Sequence, residues 1–178
     1  MNRIAKVIVD VPARQVDRPF DYLIPTELLD IIQVGTRVSV PFGNRKVQGF
    51  VVAIQAEADT DKLKEIDSAM DILPVLNQEL LELGDWIASD TLSFRVSVYQ
   101  AMLPPALRAK YEKYFIRLND SDEELERLFG GYGTLDFKKA EQVGLLPQFK
   151  KYLQDGDIEI GYAVKNKVTQ KKNENGAL

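Results

Sequence analysis

Residues 34–52 read VGTRVSVPFGNRKVQGFVV, and the fold turns on whether this stretch is a hairpin. From Thr36 to Phe42 the residues alternate, with Val38, Val40 and Phe42 on one face and Arg37 and Ser39 on the other. A second run, VQGFVVAI over 47–54, follows GNRK, which reads as a four-residue loop because Gly43 and Asn44 tolerate positive φ. Two β-rich runs around turn chemistry predict an antiparallel pair.

The neighbouring segments repeat the pattern. AKVIVDV (5–11) sets Val7, Val9 and Val11 against Lys6, Ile8 and Asp10, and FDYLI (20–24) lies between Pro19 and Pro25. LKEIDSAMDIL (63–73) reads as a fifth strand. Short strands with little helix predict a small β-barrel-like module. The period then changes. NQELLELGDWIASDTL starts at an N-cap, Asn77, and spaces Leu80, Leu81, Leu83, Ile87 and Ala88 as a helix, with Trp86 expected to pack inside. Ser93–Met102 reads as a second helix, stopped by Pro104 and Pro105, where the domain boundary is drawn: 1–105 and 106–178.

Beyond the prolines, KYFIRL (113–118) is a predicted strand. SDEELERLF is a helix with Ser121 and Glu124 at capping-box spacing. TLDFKKAEQVG and LLPQFKKYLQDG are two more short helices, and DIEIGYAV (157–164) is a strand before a polar tail. A strand, about three short helices and a closing strand pair is the element order of a winged helix. The expected class is therefore α+β: a β-barrel-like domain with a helical extension, then a winged-helix domain.

The 178-residue chain is long enough to bury a core, and its 45% apolar and 28% charged content is that of a globular protein. It has no cysteine and no histidine, which removes thiolate and imidazole metal ligands, disulfides and every histidine-based triad. No apolar stretch is long enough for a signal peptide or a membrane span, so a cytoplasmic location is expected. The net charge of −4 is uneven. Residues 57–105 hold most of the acidity, and both flanks are slightly basic, which permits a local anion-binding surface.

In FDYLI an aspartate stands between two rings. In a regular strand Phe20 and Tyr22 share a face and Asp21 takes the other. Composition alone favours core rings and a solvent-facing carboxylate. The alternative is a site that needs an acceptor beside stacking surfaces.

AKVIVDVP, FDYLIP and VGTRVSVPFGNRKVQGFVV, in that order, resemble the opening of the primosomal replication-restart helicase family, PriA or primosomal protein N′. The matching positions include Phe20, Asp21, Tyr22, Pro25, Gly35, Arg37, Pro41, Phe42, Gly43 and Gly49, with Leu63, Lys64 and Ile66 downstream. The resemblance covers about the first 105 residues and continues loosely through the winged-helix order.

The resemblance implies a DNA-binding segment that holds the 3′ end of a nascent strand at a stalled fork. Its terminal-nucleotide pocket would be lined by the positions of Phe20, Asp21, Tyr22, Gly43 and Lys64, and the winged helix would meet the duplex arm. Phosphate contacts are sought at Arg37, Arg45, Lys46, Lys138, Lys139, Lys150 and Lys151, although charged hairpin tips and solvated helix faces are common without any ligand. Family members continue into two ATPase lobes with a zinc-binding insertion and act as ATP-dependent 3′→5′ helicases. This sequence contains no G-x-x-x-x-G-K-[ST] loop and no cysteine, so ATP and zinc belong to the motor portion. The expected activity here is binding, not catalysis, with no cofactor and no metal. Expected partners are forked or single-stranded DNA with a free 3′ end, together with single-strand-binding and other primosome proteins. Nucleoid association follows by resemblance. The alternative is a protein-interaction module for primosome assembly with weak DNA affinity.

Overall fold

The computed structural model describes residues 3–57, 62–108 and 111–164. Six strands form the first sheet: β1 (Ile4–Val9), β2 (Phe20–Leu23), β3 (Arg37–Phe42), β4 (Arg45–Gln55), β5 (Lys64–Glu65) and β6 (Ser68–Ala69). β3 and β4 are the expected hairpin, but the connection is shorter than GNRK suggested. Phe42 pairs with Arg45, leaving a two-residue turn of Gly43 and Asn44. Gly43 has φ +60°, a conformation strained for any residue with a Cβ.

The sheet order is β5-β2-β1-β4-β3-β6, so β5 and β6 lie at opposite edges although only Ile66 and Asp67 separate them. Laid flat, six strands would hold those edges about 24 Å apart. Two linking residues reach at most about 11 Å. The sheet must therefore curl into a half-barrel. Ile66 N–H donates to the Leu23 carbonyl at 3.0 Å and Asp67 N–H to the Ser39 carbonyl at 2.9 Å, tying the two edges together. The continuous strand expected over 63–73 is thus two short pieces with a bend that serves both edges.

The curl encloses Ala5, Val7, Val9, Tyr22, Val38, Val40 and Val51. Ile8 lies, as expected, on the face opposite Val7 and Val9, and it too is fully buried. Helices α1 (Gln78–Thr91) and α2 (Arg95–Met102) cover it, and with Phe50, Leu81, Val96 and Tyr99 it forms a second core. Gly49, paired with Val9, lets β1 and β4 close up there. A Cβ there would lie 2.4 Å from Val7 Cγ1 and 2.9 Å from the Ile8 carbonyl oxygen.

Asn77 caps α1 as expected, accepting from Leu80 N–H at 2.9 Å. Trp86 does not pack inside. It is 64% exposed, beside exposed Leu83 on the outer side of α1.

A short helix, α3 (Pro105–Arg108), leads to the second unit. Its sheet joins β7 (Tyr111–Arg117), β8 (Thr134–Asp136) and β9 (Ile158–Val164) in the antiparallel order β8-β7-β9. Three helices pack against it: α4 (Glu123–Leu128), α5 (Phe137–Gln142) and α6 (Leu146–Asp155). Phe115, Phe129, Phe137 and Phe149 form a connected ring cluster in this core. The cap of α4 is Asp122, whose carboxylate accepts from Glu124 and Leu125 N–H, rather than Ser121. The first residues of TLDFKKAEQVG form β8, not helix. Its Asp136 instead caps α5, accepting from Lys139 N–H at 3.0 Å. Among the described residues β9 alone stands for the expected closing strand pair, and the polar tail over 165–178 lies outside them.

The inner core of the half-barrel runs on without a break into the core of the second unit. Polar contacts also cross the junction. Asp71, buried between the units, accepts two bonds from the Arg37 guanidinium at 2.8 Å each and one from Lys113 Nζ at 2.6 Å. The Arg37 guanidinium also donates to the Leu107 carbonyl. Glu141 accepts from Ala69 N–H, and Lys150 Nζ donates to the Asp30 carbonyl at 2.6 Å.

Candidate nucleic-acid interface

Four of the five pocket positions come together at one end of the half-barrel. The Phe20 ring meets Phe42 edge-on at 5.4 Å between centroids, and Gly43 follows Phe42 directly. Tyr22 points inward, is nearly fully buried, and donates its hydroxyl to the Pro41 carbonyl at 3.1 Å. Lys64 pairs in register with Tyr22 on β5 and is exposed. The space around Gly43 is open: a Cβ there would meet nothing within 4 Å. The Phe20 and Phe42 rings thus lie beside an uncovered turn, with exposed Lys64 on the strand next to β2.

Asp21 stands apart from this group. It pairs in register with Lys6 on β1, and the two side chains meet at 3.1 Å. Its side chain is only 4% exposed, against 21% for Lys6. Alternation holds along β2, so the Phe20 ring and the Asp21 carboxylate leave the strand on opposite sides. Neither simple expectation fits. The carboxylate does not project into solvent, and it does not share the face of the rings. β5 pairs only with Tyr22 and Leu23, so among the described residues no strand covers the outer edge of Phe20 and Asp21.

Arg37 requires a correction. Alternation placed it on the outer face as a phosphate contact, but it is 2% exposed. The second unit and the 70–72 turn cover that face. The Asp71 carboxylate and the Leu107 carbonyl take up its guanidinium. Burial by itself would raise the Asp71 carboxyl, and the hydrogen bonds from Arg37 with the charge of Lys113 outweigh it, holding Asp71 below the usual carboxylate range.

The other basic candidates divide. Arg45 is exposed on the hairpin, while the adjacent Lys46 ammonium is paired with Asp67. Lys138 is exposed and lines the space between the units. Lys139 and Lys151 are exposed elsewhere on α5 and α6, and Lys150 is committed to Asp30. The four lysines therefore do not form one patch.

Two residues near the opening went unassigned at the sequence level. Phe42 lies within the VPFG run but was read only as core. Arg18, two residues before Phe20, lays its guanidinium over the Phe20 ring at 4.5 Å. An arginine beside an aromatic is a weak signal in sequence, because only the backbone path shows which face the guanidinium covers. Among the described residues no helix is long and apolar enough to cross a membrane, and no acidic cluster is arranged to hold a metal ion.

Comparison with known proteins gives the family. The family model described as the PriA 3′ DNA-binding domain (3′BD) matches residues 6–104. The replication restart protein PriA of Bacillus subtilis is 43% identical over 171 residues, covering 94% of this chain and 21% of that protein. PriA of Haemophilus influenzae is 28% identical over 166 residues, 89% of this chain and 21% of the relative. A probable PriA of Mycobacterium tuberculosis is 38% identical over 98 residues, 54% of this chain and 15% of the relative. The chain thus spans about a fifth of the length of these relatives. It belongs to the PriA family and carries that family's 3′ DNA-binding domain.

Proposed function

We propose that this chain binds DNA at a free 3′ end, holding the terminal nucleotide of a nascent strand at a stalled replication fork. The observation that carries this reading is the meeting of the Phe20 and Phe42 rings beside the open Gly43 turn, next to an uncovered strand edge. A nucleotide at that edge has the Phe20 ring on one side of β2 and the Asp21 carboxylate on the other. Contact with both then needs no twist in the strand. Base-to-ring stacking is worth about 1–3 kcal/mol and is indifferent to sequence, as a fork-binding factor requires. Gly43 admits a sugar, and Lys64 meets a phosphate.

A carboxylate repels phosphate, so Asp21 is useful only where a phosphate is missing. A terminal 3′-hydroxyl donates to it, whereas an internal nucleotide would bring a 3′-phosphate against it. The test compares oligonucleotides ending in 3′-hydroxyl and 3′-phosphate. The chain should favour the hydroxyl at least tenfold, and Asp21→Asn should lose most of that preference. Equal preference in the two proteins would sink the reading. A fork with a nascent 3′ end at the junction should likewise bind better than one with a gap there.

We infer a winged-helix role for the second unit from its elements. α4, β8, α5, α6 and β9 follow the winged-helix order, and β7 fills the central strand that such domains supply last. With that strand moved to the front, the usual wing between the last two strands is lost, so duplex contact would rest on α6 and the exposed Lys151. Unwinding, with its ATP and zinc, is assigned to the longer family members' motor. A second reading, docking of single-strand-binding or other primosome proteins, is favoured by exposed Leu83 and Trp86 on α1, where Glu79, Glu82 and Asp90 would repel DNA. Trp86→Ala should then weaken a protein complex and leave DNA affinity unchanged.

A further inference from the structure

Between the two units lies a cleft of about 730 Å³ whose walls come from the β3–β4 hairpin, α3 and α5. Its lining includes Arg45 from the hairpin, Arg108 from α3 and Lys138 from α5, all exposed. Among the described residues none of these three side chains makes a hydrogen bond or an ion pair. Several acids in the same lining are engaged. Glu141 accepts from Ala69 N–H, and Asp136 caps α5. Burial pushes the carboxyls of Glu141 and Asp10 up, and the charge of Lys138 beside Glu141 acts against it there. Asp71, just behind the lining, is matched by Arg37 and Lys113. Three exposed cationic side chains, from both units, therefore face the cleft beside the acids Asp10, Glu112, Asp136 and Glu141.

The cleft also begins close to the proposed pocket. Arg45, which lines it, is two residues beyond Gly43 on the same hairpin. When a 3′ terminus is held, every remaining phosphate of the strand lies on its 5′ side and has to leave by one route. A space of about 730 Å³ suits a short stretch of one strand and is too small for a duplex.

We propose that this cleft is the exit path for the sugar–phosphate backbone on the 5′ side of the bound terminus, with Arg45, Arg108 and Lys138 as its phosphate contacts. It rests on the 3′-end reading for its starting point and adds a second anion site shared by the two units. Binding then couples the units, because one strand touches both.

The experiment measures binding of dT3 and dT12, each with a 3′-hydroxyl, over a salt series. dT3 fills only the terminal pocket, and dT12 reaches the cleft. Arg108→Ala and Lys138→Ala should each lower dT12 affinity about fivefold to tenfold and reduce its salt slope by about 0.7, the single-strand value for one lost phosphate contact. dT3 binding should stay within twofold. Arg127→Ala, on exposed α4 away from the cleft, reports any general charge effect. Unchanged dT12 affinity and slope in both cleft variants would overturn the proposal, as would an equal loss for dT3 and dT12. Failure of the 3′-end reading would show separately, as loss of the hydroxyl preference in wild type, while the dT12-over-dT3 gain still reports on the cleft.

Discussion

Asp21 and Lys6 are cross-strand partners, their side chains 3.1 Å apart on a part of the sheet where the carboxylate is almost out of solvent. Such a pair contributes modestly as a unit, and removing one member loses a partly buried charge-assisted contact. Lys6→Met should therefore cost about 1–3 kcal/mol of stability. Lys6→Met combined with Asp21→Asn should recover part of that loss. Urea melts of the two single variants and the double variant give the coupling directly. Purely additive losses would show that the pair does not hold β1 to β2.

A second prediction concerns the junction. Asp71 has a folded-state pKa below its unfolded value, because the bonds from Arg37 and Lys113 outweigh burial. Its contribution is therefore fully present above the unfolded carboxylate range, near pH 4, and is lost as pH falls through the lower folded value. Asp71→Asn should lower the melting temperature clearly at pH 7, and the gap from wild type should narrow steadily between pH 4 and pH 2.5. A gap that stays constant across that range would mean that the Asp71 charge does not stabilise the junction.

How much of this was legible beforehand differs from residue to residue. The hairpin, the Asn77 cap and the strand at 20–24 follow from local periodicity and turn chemistry, and all three formed. Arg37 was assigned correctly to the outer side of its strand, and Ile8 to the face opposite Val7 and Val9. What alternation cannot supply is what lies on that side: α1 and α2 over Ile8, and the second unit over Arg37. Trp86 was misjudged for the converse reason, since a large ring on an amphipathic helix reads as core until the covering surface proves to be narrow. The division of 64–69 into two edge strands depends on closure of the sheet, a long-range constraint with no local mark. Around the candidate site, motif resemblance supplied the residues, and only the fold could supply the Arg18 stack and the placing of Arg108 and Lys138 on one cleft.

Tyr22 separates scaffold from contact. Its hydroxyl is used within the protein, on the Pro41 carbonyl, and the ring is buried. Tyr22→Phe should cost about 0.5–1.5 kcal/mol, the usual value of one hydrogen bond. Affinity for a 3′-hydroxyl oligonucleotide should remain within about twofold, so a chemical melt paired with a binding titration decides the matter. A tenfold loss of affinity in a well-folded Tyr22→Phe would mean that the hydroxyl leaves Pro41 to meet DNA.

Gly43 and Gly49 sit six residues apart, one in the hairpin turn and one within β4, and should fail in opposite ways when given a methyl group. At Gly49 the new Cβ would lie 2.4 Å from Val7 Cγ1 and 2.9 Å from the backbone oxygen of Ile8. The clash is with packed strands, so Gly49→Ala should lose about 2 kcal/mol or more, with weaker DNA binding only in proportion to unfolding. At Gly43 there is open space and only the strain of φ +60°, about 1–2 kcal/mol. If a sugar approaches this turn, the same methyl occupies its place. Gly43→Ala should therefore remain folded at 25 °C while its affinity for a 3′-hydroxyl oligonucleotide falls tenfold or more. Circular dichroism melts alongside titrations of both variants separate the two causes, and unchanged affinity in folded Gly43→Ala would remove the turn from the terminal-nucleotide pocket.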